Sequence, residues 1–120
     1  MNTPKKINAE IAEFFNQQSF VDQTITQINK DLQGLYFDEF IFKNESNSNE
    51  IIDQLVVLLN PILVQLSKGR PEQLSQFIYR VDLGEKKYID SISFDLSLMN
   101  LSYLVIEREA QKVYLRMKFK

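Results

Sequence analysis

The side chains available for chemistry in this chain are carboxylates, lysines, arginines and hydroxyls, because it holds no histidine and no cysteine. Histidine is the usual base near neutral pH and the commonest metal ligand, and cysteine is the usual thiolate nucleophile. Their absence removes zinc and iron–sulfur sites, most haem ligation, cysteine catalysis and serine–histidine–acid triads. The remaining candidates are carboxylate pairs. Glu10 and Glu13 stand three apart, a spacing any surface helix carries. Asp38 and Glu39 are adjacent among aromatic residues, which either raises a carboxyl pKa or marks an exposed loop edge. Glu107 and Glu109 are two apart and face away from each other on a helix. Lys86 and Lys87 beside Tyr88 offer a base that nothing orients. No spacing fits a calcium loop, a glycine-rich phosphate cradle or a two-carboxylate metal site. A catalytic site needs several converging groups. The chain therefore reads as non-enzymatic, with no cofactor, metal or small-molecule ligand inferred.

Binding is better represented than catalysis. Arg108, Lys112 and Arg116 are spaced by four, so they line one helical face, and Lys118 and Lys120 extend it. Residues 101–120 carry five basic and two acidic side chains, or +3, which leaves −5 for the first 100 residues of a chain of net charge −2. This stripe reads as a solvated helix end, as a dock for an acidic protein surface, or as a phosphate or nucleic-acid contact. Only Tyr114 interleaves it, which offers little for base stacking. Tyr36, Phe37, Phe40 and Phe42 read as core packing or, if partly exposed, as a protein interface. Arg80 and Asp82 are either structural, with Arg80 closing one helix and Asp82 capping the next, or a charge pair in a cleft.

These residues sit on elements that the pattern predicts to be helical. Thr3-Pro4 starts a helix with Ile7, Ile11, Phe14 and Phe15 on one face. Ser19 caps a second helix with a Val21, Ile25, Ile28, Leu32 stripe, ended by Gly34. Asn44 to Asn49 reads as an exposed loop. Asn47 or Ser48 then caps a helix whose apolar residues, Ile51 to Leu66, cover more than half its circumference, as in a buried helix. Pro61 either kinks it or starts a new helix after Asn60. Pro71 opens another, with Leu74, Phe77, Ile78 and Val81 at helical spacing. Asp82-Leu83-Gly84-Glu85 gives a capping box for a short helix through Tyr88, Ile89 and Ile92. The strand-like alternation of Ser91 to Asp95 leads into a long helix from about Ser97 to Lys118. Its stripe is Ile92, Leu96, Met99, Tyr103, Ile106, Ala110, Val113 and Met117. The rival reading is strand at 113–119.

Three of these segments, Tyr79-Arg80-Val81-Asp82, Glu85-Lys86-Lys87 and Ile106-Glu107-Arg108-Glu109-Ala110-Gln111-Lys112-Val113, resemble a group of short uncharacterised bacterial helical proteins. The resemblance spans roughly Glu50 to Arg116. It implies a small helical fold and a cytosolic location, and it implies no activity.

The expected fold is all-α: one domain over residues 1–120, with about five or six helices and a long C-terminal helix. A helical arm and aromatic segment fill 1–45, and a helical core fills 46–120. The alternative is α+β with a C-terminal hairpin. The longest apolar run, Leu55 to Leu59, is short of a membrane span, so a cytoplasmic protein is expected. The function that fits is a protein–protein interaction or oligomerisation module, whose partner is itself or another protein. The alternative is nucleic-acid or acidic-partner binding through the basic stripe. A further reading is an inhibitor or immunity partner of a toxin.

Overall fold

Helix-compatible spacing over most of the chain becomes six helices in the computed structural model, which describes residues 9–36, 40–42, 48–94 and 98–119. They are α1 (Ala9–Phe14), α2 (Gln18–Leu32), α3 (Ser48–Gly69), α4 (Pro71–Val81), α5 (Glu85–Phe94) and α6 (Met99–Lys118), with no strand among the described residues. The all-α expectation is met and the C-terminal hairpin is ruled out. Residues 113–118 continue α6, and the molecule measures about 35 × 35 × 30 Å.

α6 is the central helix: α3 packs along it most extensively, and α2, α5, α4 and α1 also lean on it. Leu55, Leu59, Leu63 and Leu66 line the buried face of α3. Its stretch Ile51–Gly69, 19 residues, is long and apolar enough to cross a membrane by length and composition. Here one face of that stretch forms a core wall, while Val57 and Leu58 lie exposed, so the helix is less covered than its apolar circumference predicts. Pro61 lies within α3 and does not restart it. It is exposed, so the Val57 carbonyl, which loses its helical donor, lies toward water, where the loss is cheapest.

An aromatic knot ties the N-terminal arm to the body. Phe15 meets Phe20 edge-on at 5.1 Å, and Phe14 lies 5.4 Å from Phe20 and 5.3 Å from Tyr114. Thr3-Pro4 and Ile7 lie outside the described residues.

Several local expectations are corrected. α2 starts after Gln17, not Ser19: the extended Gln17 backbone presents its carbonyl to the Val21 N–H, so the helix begins earlier and without a side-chain cap. Residues 91–94 belong to α5, so the alternation there is not a strand. A short apolar alternation fits either period, and packing against α6 chose the helix. The polar run expected as a loop supplies the first turn of α3 at Ser48 and Asn49.

Asp82 is not the cap of α5. It closes α4 in the left-handed conformation (φ 67°, ψ 44°), with its N–H shared by the carbonyls of Ile78 and Tyr79 and the Leu83 N–H reaching Ile78. That is a Schellman closure, with buried Leu83 and Ile78 as its apolar contact. Gly84 (φ 96°) follows, and its carbonyl accepts the Tyr88 N–H, so α5 starts from Gly84. The expected ends at Gly34 (φ 80°) and Pro71 are both present.

Candidate functional site

The basic stripe of α6 does form; Arg108 and Lys112 are half-buried against the protein, while Arg116 and Lys118 reach protein partners from exposed positions. Arg108 donates to the Asp82 carbonyl at 3.2 Å and to its Oδ2 at 3.0 Å, with a third bond to Gln111. Lys112 Nζ donates to Asp31 Oδ2 at 2.8 Å and to the Arg80 carbonyl at 3.1 Å. Arg116 donates to Gln27 Oε1 at 2.6 Å. Lys118 donates to the Tyr114 hydroxyl and lies 3.8 Å from Glu10, whose carboxylate accepts from the same hydroxyl. The Tyr114 hydrogen bond is the main reason the Lys118 pKa is raised, followed by attraction to Tyr114 and Glu10. α6 thus uses its cations to hold α1, α2 and the end of α4. Lys120 lies outside the described residues.

Arg80 adds to the same junction. Its Nη1 donates to the carbonyls of Asp31 and Gln33, which are orphans at the end of α2. It therefore caps a neighbouring helix as well as sitting in the last turn of its own.

At the centre of this junction is Glu109, whose side chain is 0% exposed. Lys112 Nζ stands 2.8 Å from Oε1 as an ion pair, while Oε2 is buried with no hydrogen-bond partner among the described residues. A buried carboxylate left in that state is costly, so the group protonates. Its pKa is pushed up to about 9, first by burial and next by the neighbouring Asp31, with Lys112 pulling the other way. As an acid, Glu109 becomes a donor to Asp31, which also accepts two bonds from Gln27 at 3.3 Å. A protonated carboxyl beside an ammonium is a proton-transfer pair in principle. With no exposed surface on Glu109, no substrate reaches it in this arrangement.

The aromatic segment is mostly inside. Phe40 is buried, and Tyr36 and Phe42 pack against the core. The Asn29 side chain forms a two-bond bridge to the Phe40 backbone, donating to its carbonyl at 2.9 Å and accepting from its N–H at 2.6 Å. That bridge gives the segment a strand-like pairing without a strand, and it turns Ile41 to solvent. Phe37 lies outside the described residues, as do Asp38 and Glu39. Tyr36 also borders a cleft of about 210 Å³ with Arg70 and Gln65.

A wider surface groove lies elsewhere, between α4 and α5. It is a groove of about 570 Å³, with Ile78, Tyr79, Tyr88 and Ile89 on its walls and Asp82, Gly84, Glu85 and Ser75 around them. Tyr79 is 86% exposed and Ile89 is exposed. The motif segments therefore converge here: Tyr79 and Asp82 from the first, Glu85 from the second, and Arg108, which holds Asp82, from the third.

The residues not singled out in the sequence are Asp31, Gln27 and Asn29, together with Glu109 in its buried role. Each has a signal in retrospect. Glu109 falls between Val105, Ile106, Ala110 and Val113 on the inward arc, and Asp31 sits beside Leu32 three residues after Ile28. A charge on an apolar arc points to a buried partner. No protein family, curated protein or solved structure gives a match to this chain.

Proposed function

We propose that this protein is a non-enzymatic helical interaction module that works in the cytoplasm, as the group its motifs resemble also suggests, and that the α4–α5 groove is its docking face. The observation that carries this reading is Tyr79. A tyrosine 86% exposed beside a groove of about 570 Å³ leaves large apolar area in water at a place shaped to receive a side chain. The basic stripe is a weaker candidate for nucleic acid or an acidic partner, because Arg108 and Lys112 already hold Asp82, Asp31 and Glu109. The test is a photo-cross-linking residue placed at Tyr79, with Gln23 on α2 as control, irradiated in cells. A discrete cross-linked product at Tyr79 and none at Gln23 is expected. Equal labelling at both positions, or none at either, would overturn the reading.

A further inference from the structure

The end of α6 carries a second exposed apolar feature of opposite charge to the groove. Leu115 and Phe119 are four residues apart with Lys118 between them, so the three share one helical face. Phe119 is 75% exposed and Leu115 is exposed. Arg116 and Lys118 flank the pair; Arg116 bonds the neutral Gln27, which leaves its charge unpaired by that contact, while Lys118, half-exposed, lies 3.8 Å from Glu10. The groove is lined by two carboxylates, Asp82, which Arg108 pairs at its rim, and Glu85, for which no ion pair is seen among the described residues. The chain as a whole has the same polarity, at −5 over residues 1–100 and +3 over 101–120. A protonated Glu109 leaves the C-terminal end one unit more positive still.

We infer that the protein associates head-to-tail with a second copy of itself, the Leu115, Lys118 and Phe119 face of one copy seating in the α4–α5 groove of the next. This rests on the groove being a docking face. The two surfaces do not meet within one molecule. Arg108 already touches Asp82 at the groove, and Phe119 lies eleven residues further along the same α6 axis, about 16 Å away at 1.5 Å per residue. A rigid helix cannot fold back over that distance, so a groove needing this face takes it from a neighbour. The contact is heterologous, with different patches on the two copies, and it propagates into short chains unless a ring closes. Two or three side chains make a small interface, so the association is weak, concentration-dependent and reduced by salt.

Sedimentation velocity on the full chain, run from micromolar to millimolar concentration at low and high salt, reads this directly. The wild type is expected to sediment faster as concentration rises, and less so at high salt. Tyr79→Glu and Phe119→Glu each alter an exposed side chain, so both should keep the far-UV circular dichroism of the wild type. Each should weaken self-association by about tenfold or more. Mixing the two variants should restore a one-to-one complex, because one keeps its groove and the other its helix end. A wild type monomeric throughout, variants that associate as the wild type does, or a mixture that stays monomeric would overturn the inference. A monomeric wild type that still cross-links another protein at Tyr79 removes self-docking and keeps the docking face. A monomer with no such product removes both.

Discussion

Glu109 concentrates the unusual energetics of this molecule in one side chain. Its folded pKa lies near 9 against an ordinary 4.5. Between those values the folded chain holds a proton that the unfolded chain has released, so the contribution of Glu109 to stability is fully present below pH 4.5 and declines as pH rises toward 9. The slope is at most about 1.4 kcal/mol per pH unit. Glu109→Gln reproduces the protonated form, with an amide to donate to Asp31 and a carbonyl facing Lys112. Urea unfolding at pH 5 and pH 8 should show the variant close to wild type at the lower pH. At the higher pH it should be more stable, by on the order of 2–4 kcal/mol. A wild type whose stability does not fall over this range would mean that Glu109 is ionised in the fold.

At the scale of the elements, two helix details carry testable energies. Asp82 ends α4 in the left-handed region, where a side chain costs about 1 kcal/mol relative to glycine, and its ion pair with Arg108 is partly exposed. Asp82→Gly should therefore leave the melting temperature near wild type, the relief of strain offsetting the lost pair. Asp82→Ala loses the pair and keeps the strain, and should cost about 1–2 kcal/mol in the same measurement. Pro61 interrupts the hydrogen bonds of α3 on its exposed face. Pro61→Ala restores a donor to the Val57 carbonyl and should stabilise by about 1 kcal/mol, well under the full proline penalty because the surrounding helices have adapted to it. A lower denaturation midpoint in this variant would show that the proline sets the packing angle of α3.

At the scale of the whole molecule, six helices share one core that runs from Ile11 in α1 to Tyr114 in α6. The charge junction joins α2, α4 and α6 through side chains far apart in sequence, such as Lys112 with Asp31 and Arg108 with Asp82. An arm stitched in this way does not melt separately. Helical circular dichroism and near-ultraviolet tyrosine signals should therefore lose amplitude in one coincident thermal transition. An earlier transition confined to tyrosine signals would show that α1, held through Phe14 and Glu10 to Tyr114, comes away first.

The sequence by itself determined most of the helices, though not the end of α5, where alternation at 91–94 reads as strand. Apolar spacing at three and four, Pro71 at one start and Gly34 at one end are local features, and local features fix secondary structure through backbone geometry and periodic burial. It did not determine how far α3 is covered: its apolar residues run over more than half the circumference, yet Val57 and Leu58 stay exposed and α6 is the helix all the others meet. The Lys112–Glu109 pair was legible as a spacing of three, though its burial was not. Tertiary structure decided which arc of α6 faces inward. The buried positions include Leu101, Ser102, Val105 and Glu109, while Met99, Tyr103 and Met117 of the expected stripe are only partly covered. A broad apolar helix has several nearly equivalent arcs, and the neighbours, not the period, choose among them. The same holds for the basic stripe and the aromatic segment. Their spacing marked them as able to bind, but only the positions of Asp31, Asp82 and Asn29 on other elements turned them inward and left Tyr79, Ile89 and Phe119 in water.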